Sequence, residues 1–279
     1  AMGEVPFVNT RATADGPAAR RLVVLGTASQ VPTADRNHNG YVLFWDGEAI
    51  LFDPGEGTQR EMTRRGVAAA SLTRICLTHF HGDHCLGLPG VLQRMGLDGV
   101  ERPVPIHYPA AGEVVLEHLL ALAVCGHTVP VRREPIGAGG ADRDLGHAWL
   151  RARPLRHGTD VLGYRLEEKP GRTLIPERLA DLGIAGPLVG ELVRDGAVML
   201  EGRRVTVDEV SHPRSGQTAA VVLDTAEAPA IAELLAGADI ALVEATFLAA
   251  ESDHAARYLH LTADQAGRHA VRAGVATLV

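Results

Sequence analysis

Three histidines and an aspartate stand at His79, His81, Asp83 and His84, one residue after the apolar run Ile75-Cys76-Leu77. Imidazole nitrogens and a carboxylate oxygen are a ligand set suited to zinc, and zinc in turn suits hydrolysis. If the strand persists through the histidines, His79 and His81 project to one side and can share an ion. Asp83 and His84 fall just beyond, in a loop that Gly82 is expected to turn sharply, and so can face a second ion.

Further ligands of such a centre are expected where other strands end, because sites in α/β sheets gather at the carboxyl ends of strands. His157 follows an apolar strand pattern at 150–155, and Asp224 follows another at 219–223 immediately. His260 lies in a loop two residues before Thr262, the expected N-cap of a helix. A loop imidazole titrating near neutrality suits proton delivery to a leaving group. Glu244, just after a strand at 240–243, is placed to orient it.

Short Val-, Ile- and Leu-rich runs alternate with helix-like segments, which gives an α/β class with sheets covered by helices. Strands are expected at 21–25, 41–44 and 49–52, with Trp45-Asp46-Gly47 as a hairpin turn. Thr58 and Glu61 have capping-box spacing for a helix over 58–65 closed by Gly66, and a second helix is expected over 89–95, closed by Gly96. Residues 167–204 differ in texture, being punctuated by Gly and Pro with no long period, and read as an inserted arm. A helix over 229–236 follows, and a helix capped by Thr262 and Gln265 and closed by Gly274 leads to a last strand at 275–279. Residues 1–20 read as an N-terminal tail, and 21–279 as a single domain.

The 27 Lys and Arg against 34 Asp and Glu leave a net charge of −7, which disfavours a protein whose whole surface attracts nucleic acid or an anionic membrane. Aromatics at 4% are too few for a row of base-stacking platforms. No apolar run approaches the roughly 20 residues of a membrane helix and no signal sequence is visible, so a cytoplasmic protein is expected. Cys76, Cys85 and Cys125 lack C-x-x-C spacing and read as thiols, not as a disulfide framework or a cysteine zinc site.

The H-x-H-x-D-H motif of residues 79–84 resembles the hallmark of the metallo-β-lactamase superfamily. Within it, the run Phe52-Asp53-Pro54-Gly55-Glu56-Gly57-Thr58-Gln59-Arg60, the Gly26-Thr27 turn, Arg36-Asn37, His157 with Gly163-Tyr164, Glu244-Ala245-Thr246 and His260-Leu261-Thr262 are similar to the ribonuclease Z family of tRNA 3′-processing endonucleases. The likeness spans nearly all of residues 21–279. It implies a four-layer αβ/βα sandwich and a homodimer whose exosite-like arm grips precursor tRNA, with Gly186, Pro187 and Arg194 as candidate contacts. It also implies two zinc ions. His79, His81 and His157 would hold one, Asp83 and His84 the other, with Asp224 bridging and Asp53 as a support beneath. Asp83 would also touch the nucleophile, His260 would be the proton donor and Glu244 its partner. DNA and membranes are not expected as partners.

The sequence departs from the family pattern in three places. Val243 stands where a His usually precedes Glu-Ala-Thr, which bears on the orientation of His260. Leu223 replaces a Gly before Asp224 but keeps the carboxylate. The family continues into a Thr-His segment bearing the last ligand of the second zinc, whereas this sequence ends at Val279, so a weakened second zinc is the expectation. The implied chemistry is attack by a bridging hydroxide on the phosphodiester that joins the 3′ trailer. The alternatives are a metal-dependent hydrolase of small esters, lactones, thioesters or sulfates on the same fold, and a non-catalytic RNA-binding scaffold. Six basic and seven acidic residues over 167–204 make the arm no basic finger, so RNA binding through it should be weak and salt-dependent.

Overall fold

A computed structural model describes residues 4–6, 20–122 and 129–279. The first sheet is laid down in order as β1 (Glu4–Pro6), β2 (Arg21–Gly26), β3 (Gly40–Trp45), β4 (Glu48–Phe52), β5 (Arg74–Cys76), β6 (Val104–Pro109) and β7 (Val131–Ile136). Neighbours are antiparallel through β4 and parallel from β4 to β7. The β3–β4 hairpin closes on Asp46 and Gly47, both at positive φ (45° and 95°), as a tight two-residue hairpin requires. The parallel steps are crossed by α1 (Thr58–Arg64), by α2 (Gly82–Cys85) with α3 (Leu88–Leu97), and by α4 (Glu113–Ala121).

The second sheet has the order β16-β15-β10-β9-β8, from β8 (Ala141–Asp144), β9 (Ala148–Pro154), β10 (Leu162–Glu168), β15 (Thr218–Val222) and β16 (Ile240–Val243). Strand alternation explains how the sheets stack. Leu22, Val24, Leu43 and Ile50 meet Leu150, Tyr164, Val221 and Leu242 in a core between the sheets. The intervening residues Val23, Leu25, Val42 and Leu51 pack with Met62, Val91, Met95 and Leu116 of α1, α3 and α4. Ala220, Val222 and Ala241 pack likewise with α7 (Pro229–Leu235) and α9 (Ala263–Ala273). Two sheets, each covered by helices on its outer face, make the four-layer αβ/βα sandwich expected from the resemblance.

Between β10 and β15 the chain makes an excursion with a small core of its own, formed by Ile184, Leu192, Val198, Val205 and Val210. It contains β11 (Gly171–Leu174), α5 (Pro176–Asp181), α6 (Pro187–Asp195), β12 (Ala197–Leu200), β13 (Arg203–Thr206) and β14 (Ser211–Arg214), with β11 pairing β14 and β12 pairing β13. The arm therefore runs over 169–217, not 167–204: Glu167 and Glu168 still pair within β10, and the return strand β14 lies beyond 204.

Several local expectations change for identifiable reasons. Helix α1 begins after Gly57 at φ 82°, so Thr58 is its first residue rather than its cap; the buried Thr58 hydroxyl has no hydrogen-bond partner, and Glu61 pairs with Arg64 instead. Helix α3 runs through Gly96 and stops before Gly99, which takes the left-handed conformation. Within the expected tail, Glu4–Pro6 forms the edge strand β1. The expected last strand is reduced to one bridge between Leu278 and Ala241 in β16, with the amides of Ala241 and Val243 donating to Thr277 and Val279. Cys76 and Cys85 are buried free thiols; Cys125 lies outside the described residues.

Candidate metal centre

Strand β5 ends at Cys76, so pleat alternation does not aim the histidines. His79 and His81 lie past the strand, with His79 Nε2 3.0 Å from His81 Nδ1. Asp83 and His84 sit on the single helical turn α2, not in a loop, and Gly82 is outside the set of positive-φ glycines. Asp224 follows β15 and His157 follows β9, as expected, and both arrive at the same place. One ligand atom from each of His79, His81, His157 and Asp224 lies within 4.8 Å of the others. Asp224 Oδ2 is the common point, at 3.8 Å from His79 Nε2, 3.9 Å from His157 Nε2 and 3.3 Å from His84 Nε2. Asp83 Oδ2 is 3.5 Å from His84 Nε2.

The outward-facing nitrogens are fixed by bonds on the opposite side of each ring. His157 Nδ1 donates to the Leu259 carbonyl at 3.0 Å, which leaves Nε2 as the lone pair facing Asp224. Asp53 is wholly buried and accepts from the Thr78 amide (2.7 Å), the Thr78 hydroxyl (2.5 Å) and His84 Nδ1 (2.7 Å). The Thr78 proton is thus committed to Asp53, and Thr78 Oγ1 accepts from His79 Nδ1 at 2.9 Å. Asp53, His79 and His84 also form a tight group, in which both Asp53 oxygens already accept hydrogen bonds from Thr78 or His84.

This donor set fits a divalent cation. Nitrogens ~2.0–2.1 Å from one tetrahedral ion stand roughly 3.3 Å apart, close to the His79 to His81 separation, and two lone pairs at that range repel unless a cation lies between them. Burial and the neighbouring His84 hold His79 well below the usual imidazole pKa, and burial together with His157 lowers His81, which keeps both rings neutral as ligands. Burial would raise Asp224, but the bond from His84 and the charges of His84, His79 and His260 hold it well below the usual carboxylate range. Burial would lower His84, yet the carboxylates of Asp224, Asp53 and Asp83 around it raise it well above the usual value, so a cation held at Nε2 would have to displace a proton there.

His260 lies beside this cluster, its ring centroid 4.9 Å from that of His157. Its Nδ1 is 2.9 Å from Glu244 Oε1. Glu244 is fixed in turn by the amides of Thr225 and Leu261 and by Thr246. Burial lowers the His260 pKa, and Glu244 and Asp224 more than reverse this. Val243 packs in the outer core of the second sheet, and the His260–Glu244 bond forms without the family's usual His there. Clefts of about 280 Å³, bordered by Arg36, Asn39, Asp224 and Glu244, and about 390 Å³, bordered by Arg156, His157 and Thr159, open on two flanks.

The arm candidates are remote from this chemistry in the chain. Gly186 and Pro187 start α6, and Arg194 is engaged by Asp195 at 2.9 and 3.0 Å. Sequence reasoning missed Thr78, the Leu259 carbonyl, and Asn39, whose Nδ2 is 3.0 Å from His84 Nε2 while Tyr41 donates to its Oδ1. None of these carries a spacing signal; only adjacency of Thr78 to His79 marked it.

Residues 33–176 match the family described as the metallo-beta-lactamase superfamily. A ribonuclease Z of Nocardia farcinica is 54% identical over 261 residues, covering 93% of this chain and 86% of that one. A ribonuclease Z of Salinispora arenicola is 52% identical over 260 residues, covering 93% and 84%. The crystal structure of human tRNase Z, short form, matches with a TM-score of 0.67 at 22% identity over 92% of this chain and 90% of that one, a likeness of fold. With the histidine–aspartate cluster in place on that fold and identities above one half along nearly the whole chain, the protein belongs to the ribonuclease Z family of the metallo-β-lactamase superfamily.

Proposed function

We infer that this chain is a metal-dependent endoribonuclease that removes 3′ trailers from precursor tRNA. The observation that carries the reading is the convergence of His79, His81, His157 and Asp224 beside an oriented His260–Glu244 pair, in a chain of the ribonuclease Z family. The clefts on two flanks of the cluster let an extended strand cross it, which favours a polymer over a small enclosed ester.

In this reading the cations are zinc. His79, His81, His157 and Asp224 would hold one, and Asp83, His84 and Asp224 would face a second. Bound cations supply charge stabilisation to the attacked phosphodiester and bring the pKa of water to about 7. The remaining steps belong to side chains of this chain. Asp83, whose carboxylate lies beside His84, orients the nucleophile. Protonated His260 gives its proton to the departing 3′ oxygen while Glu244 keeps the ring in place. The products are a tRNA ending in a 3′-hydroxyl and a trailer with a 5′-phosphate. The arm over 169–217 holds the tRNA body, in a cytoplasmic homodimer where the arm of one copy serves the site of the other; the resemblance of the sequence supports this last step.

Cleavage of a 3′-extended precursor tRNA by the zinc-loaded protein, beside bis-p-nitrophenyl phosphate and a lactone panel, tests the reading. Accurate trailer removal is expected, and a preference for the lactones would overturn it.

A further inference from the structure

The arm leaves the second sheet at Glu168 and rejoins it at Gln217, and one buried charge cluster ties these two roots to each other and to the first sheet. The Glu168 carboxylate receives a fork from Arg214, at 2.6 Å from Nη2 and 3.1 Å from Nη1. It also accepts from Arg20 Nη1 at 3.0 Å and from the Gln217 amide at 3.1 Å. Arg20 reaches the Gln217 side chain at 2.7 Å, pairs with Asp46 in the β3–β4 turn and lies 4.0 Å over the Trp45 ring. Arg20 is fully buried and Glu168 nearly so. Gly216 admits no side chain, since a Cβ there would lie 1.9 Å from the Glu168 carbonyl oxygen.

Charges buried in this way have few acceptable arrangements, because a partner pulled away leaves an uncompensated ion, and a forked arginine–carboxylate pair also fixes direction. Strand β10 links the cluster to the metal centre. Its first residue, Leu162, donates its amide to the Thr78 carbonyl, and its last residue is Glu168, six positions or roughly 20 Å along the strand. The angle at which the arm stands off the body is therefore fixed to the same sheet that positions the cluster, so in a symmetric dimer the arm of each copy keeps one direction toward the site of the other.

We propose that Glu168, clamped by Arg20 and Arg214, is a positioning residue that holds the arm at the angle needed for a folded RNA to rest on it while its 3′ end lies at the metal centre of the other copy in the dimer. The proposal rests on the precursor-tRNA reading above. A rigid arm makes the second contact of one substrate intramolecular, and that gain depends on geometry alone. The clamp is thus a determinant of specificity for long folded substrates and is silent for a short phosphodiester.

Steady-state kinetics of the full-length, zinc-loaded protein on 3′-extended precursor tRNA and on bis-p-nitrophenyl phosphate test this with Glu168→Gln, Arg214→Ala and Arg214→Lys. The first two variants should raise KM for precursor tRNA about tenfold, with kcat for it and kcat/KM for the small diester held within about twofold. Arg214→Lys keeps the charge without the fork and should fall between, and it serves as the mild variant if Glu168→Gln does not fold. Hydrogen exchange should quicken in β11 and β14 while β9 stays protected. An unchanged KM for precursor tRNA, or equal losses on both substrates, would overturn the clamp. If the unmutated protein cleaves only the small diester, the tRNA reading fails separately, and unchanged exchange in β11 and β14 then refutes the clamp by itself.

Discussion

If His84 holds a cation as proposed, Asp53→Asn is expected to weaken that binding by about 10- to 100-fold without straining the backbone. Asp53 sits at φ 44°, a left-handed conformation that Asn tolerates and Ala does not, so the substitution changes chemistry and little else. The carboxylate accepts from three donors, and the amide can replace only one of its oxygens. With the amide nitrogen turned toward His84 Nδ1 and Thr78 Oγ1, His84 must accept at Nδ1 and carry its proton on Nε2, the atom that faces Asp224. The Thr78 hydroxyl is released as well, and its proton turns toward His79 Nδ1. The bond lost between this charged group and His84, the one that acts on the ligand nitrogen, is worth about 1.5–3 kcal/mol, which at about 1.4 kcal/mol per decade gives the stated range. Zinc titration against a competing chelator dye measures the affinity, and nitrogen-detected imidazole spectra report the tautomer. Affinity unchanged within about twofold, or a His84 ring still protonated at Nδ1, would refute tautomer control by Asp53.

Glu244→Gln should move the alkaline limb of the kcat profile to lower pH: Glu244 and Asp224 raise the His260 pKa against burial, so removing the Glu244 charge lets the acid form deprotonate sooner. An unshifted limb would mean that His260 is not the proton donor. Thr262→Ala breaks the capping box in which Thr262 accepts from the Gln265 amide, and should cost about 1 kcal/mol, read as a fall of about 2–4 °C in thermal denaturation. Chelation should abolish hydrolysis and lower Tm together, since a ligand at a thousand times its Kd contributes about 4 kcal/mol of stability; loss of activity with no shift in Tm would place the essential metal elsewhere.

The layers of the sandwich were legible because strand alternation and helix boundaries are local signals. The 46% hydrophobic content is spread as two-residue and three-to-four-residue periods, and the sheets and outer helices follow from them. The errors fall where a tertiary contact overrides a local rule. Thr58 and Glu61 have the spacing of a cap, but the Gly57 turn packs so tightly on Asn37 that a Cβ would meet its Oδ1 at 2.3 Å, and the helix starts one residue earlier than a Thr58 cap requires. Gly96 failed as a stop because Met95 and Leu92 on the same helix are buried in the core, and their packing outweighs the intrinsic cost of a mid-helix glycine, about 1 kcal/mol. The arm's end was misplaced because its closing strand pairs with β11, some 40 residues earlier, a contact with no local trace.

Much the same division holds within the site. Groups that offer an atom to an ion are recognisable by type and by position after a strand, whereas groups that aim them are not, because any carbonyl can do so. Leu259 shows why. It ends α8 (Ser252–Tyr258) at φ 58° and ψ 49°, a conformation usually given to glycine and costing another residue roughly 1–2 kcal/mol. In that conformation its carbonyl accepts from His157 Nδ1, while the next residue, His260, anchors its amide on Ala255 and meets Glu244 through its ring. One strained peptide therefore sets the tautomer of His157 and the place of the His260 ring together. Relaxing it would disturb both rings at once, because the carbonyl that holds His157 and the ring that meets Glu244 hang on adjacent residues.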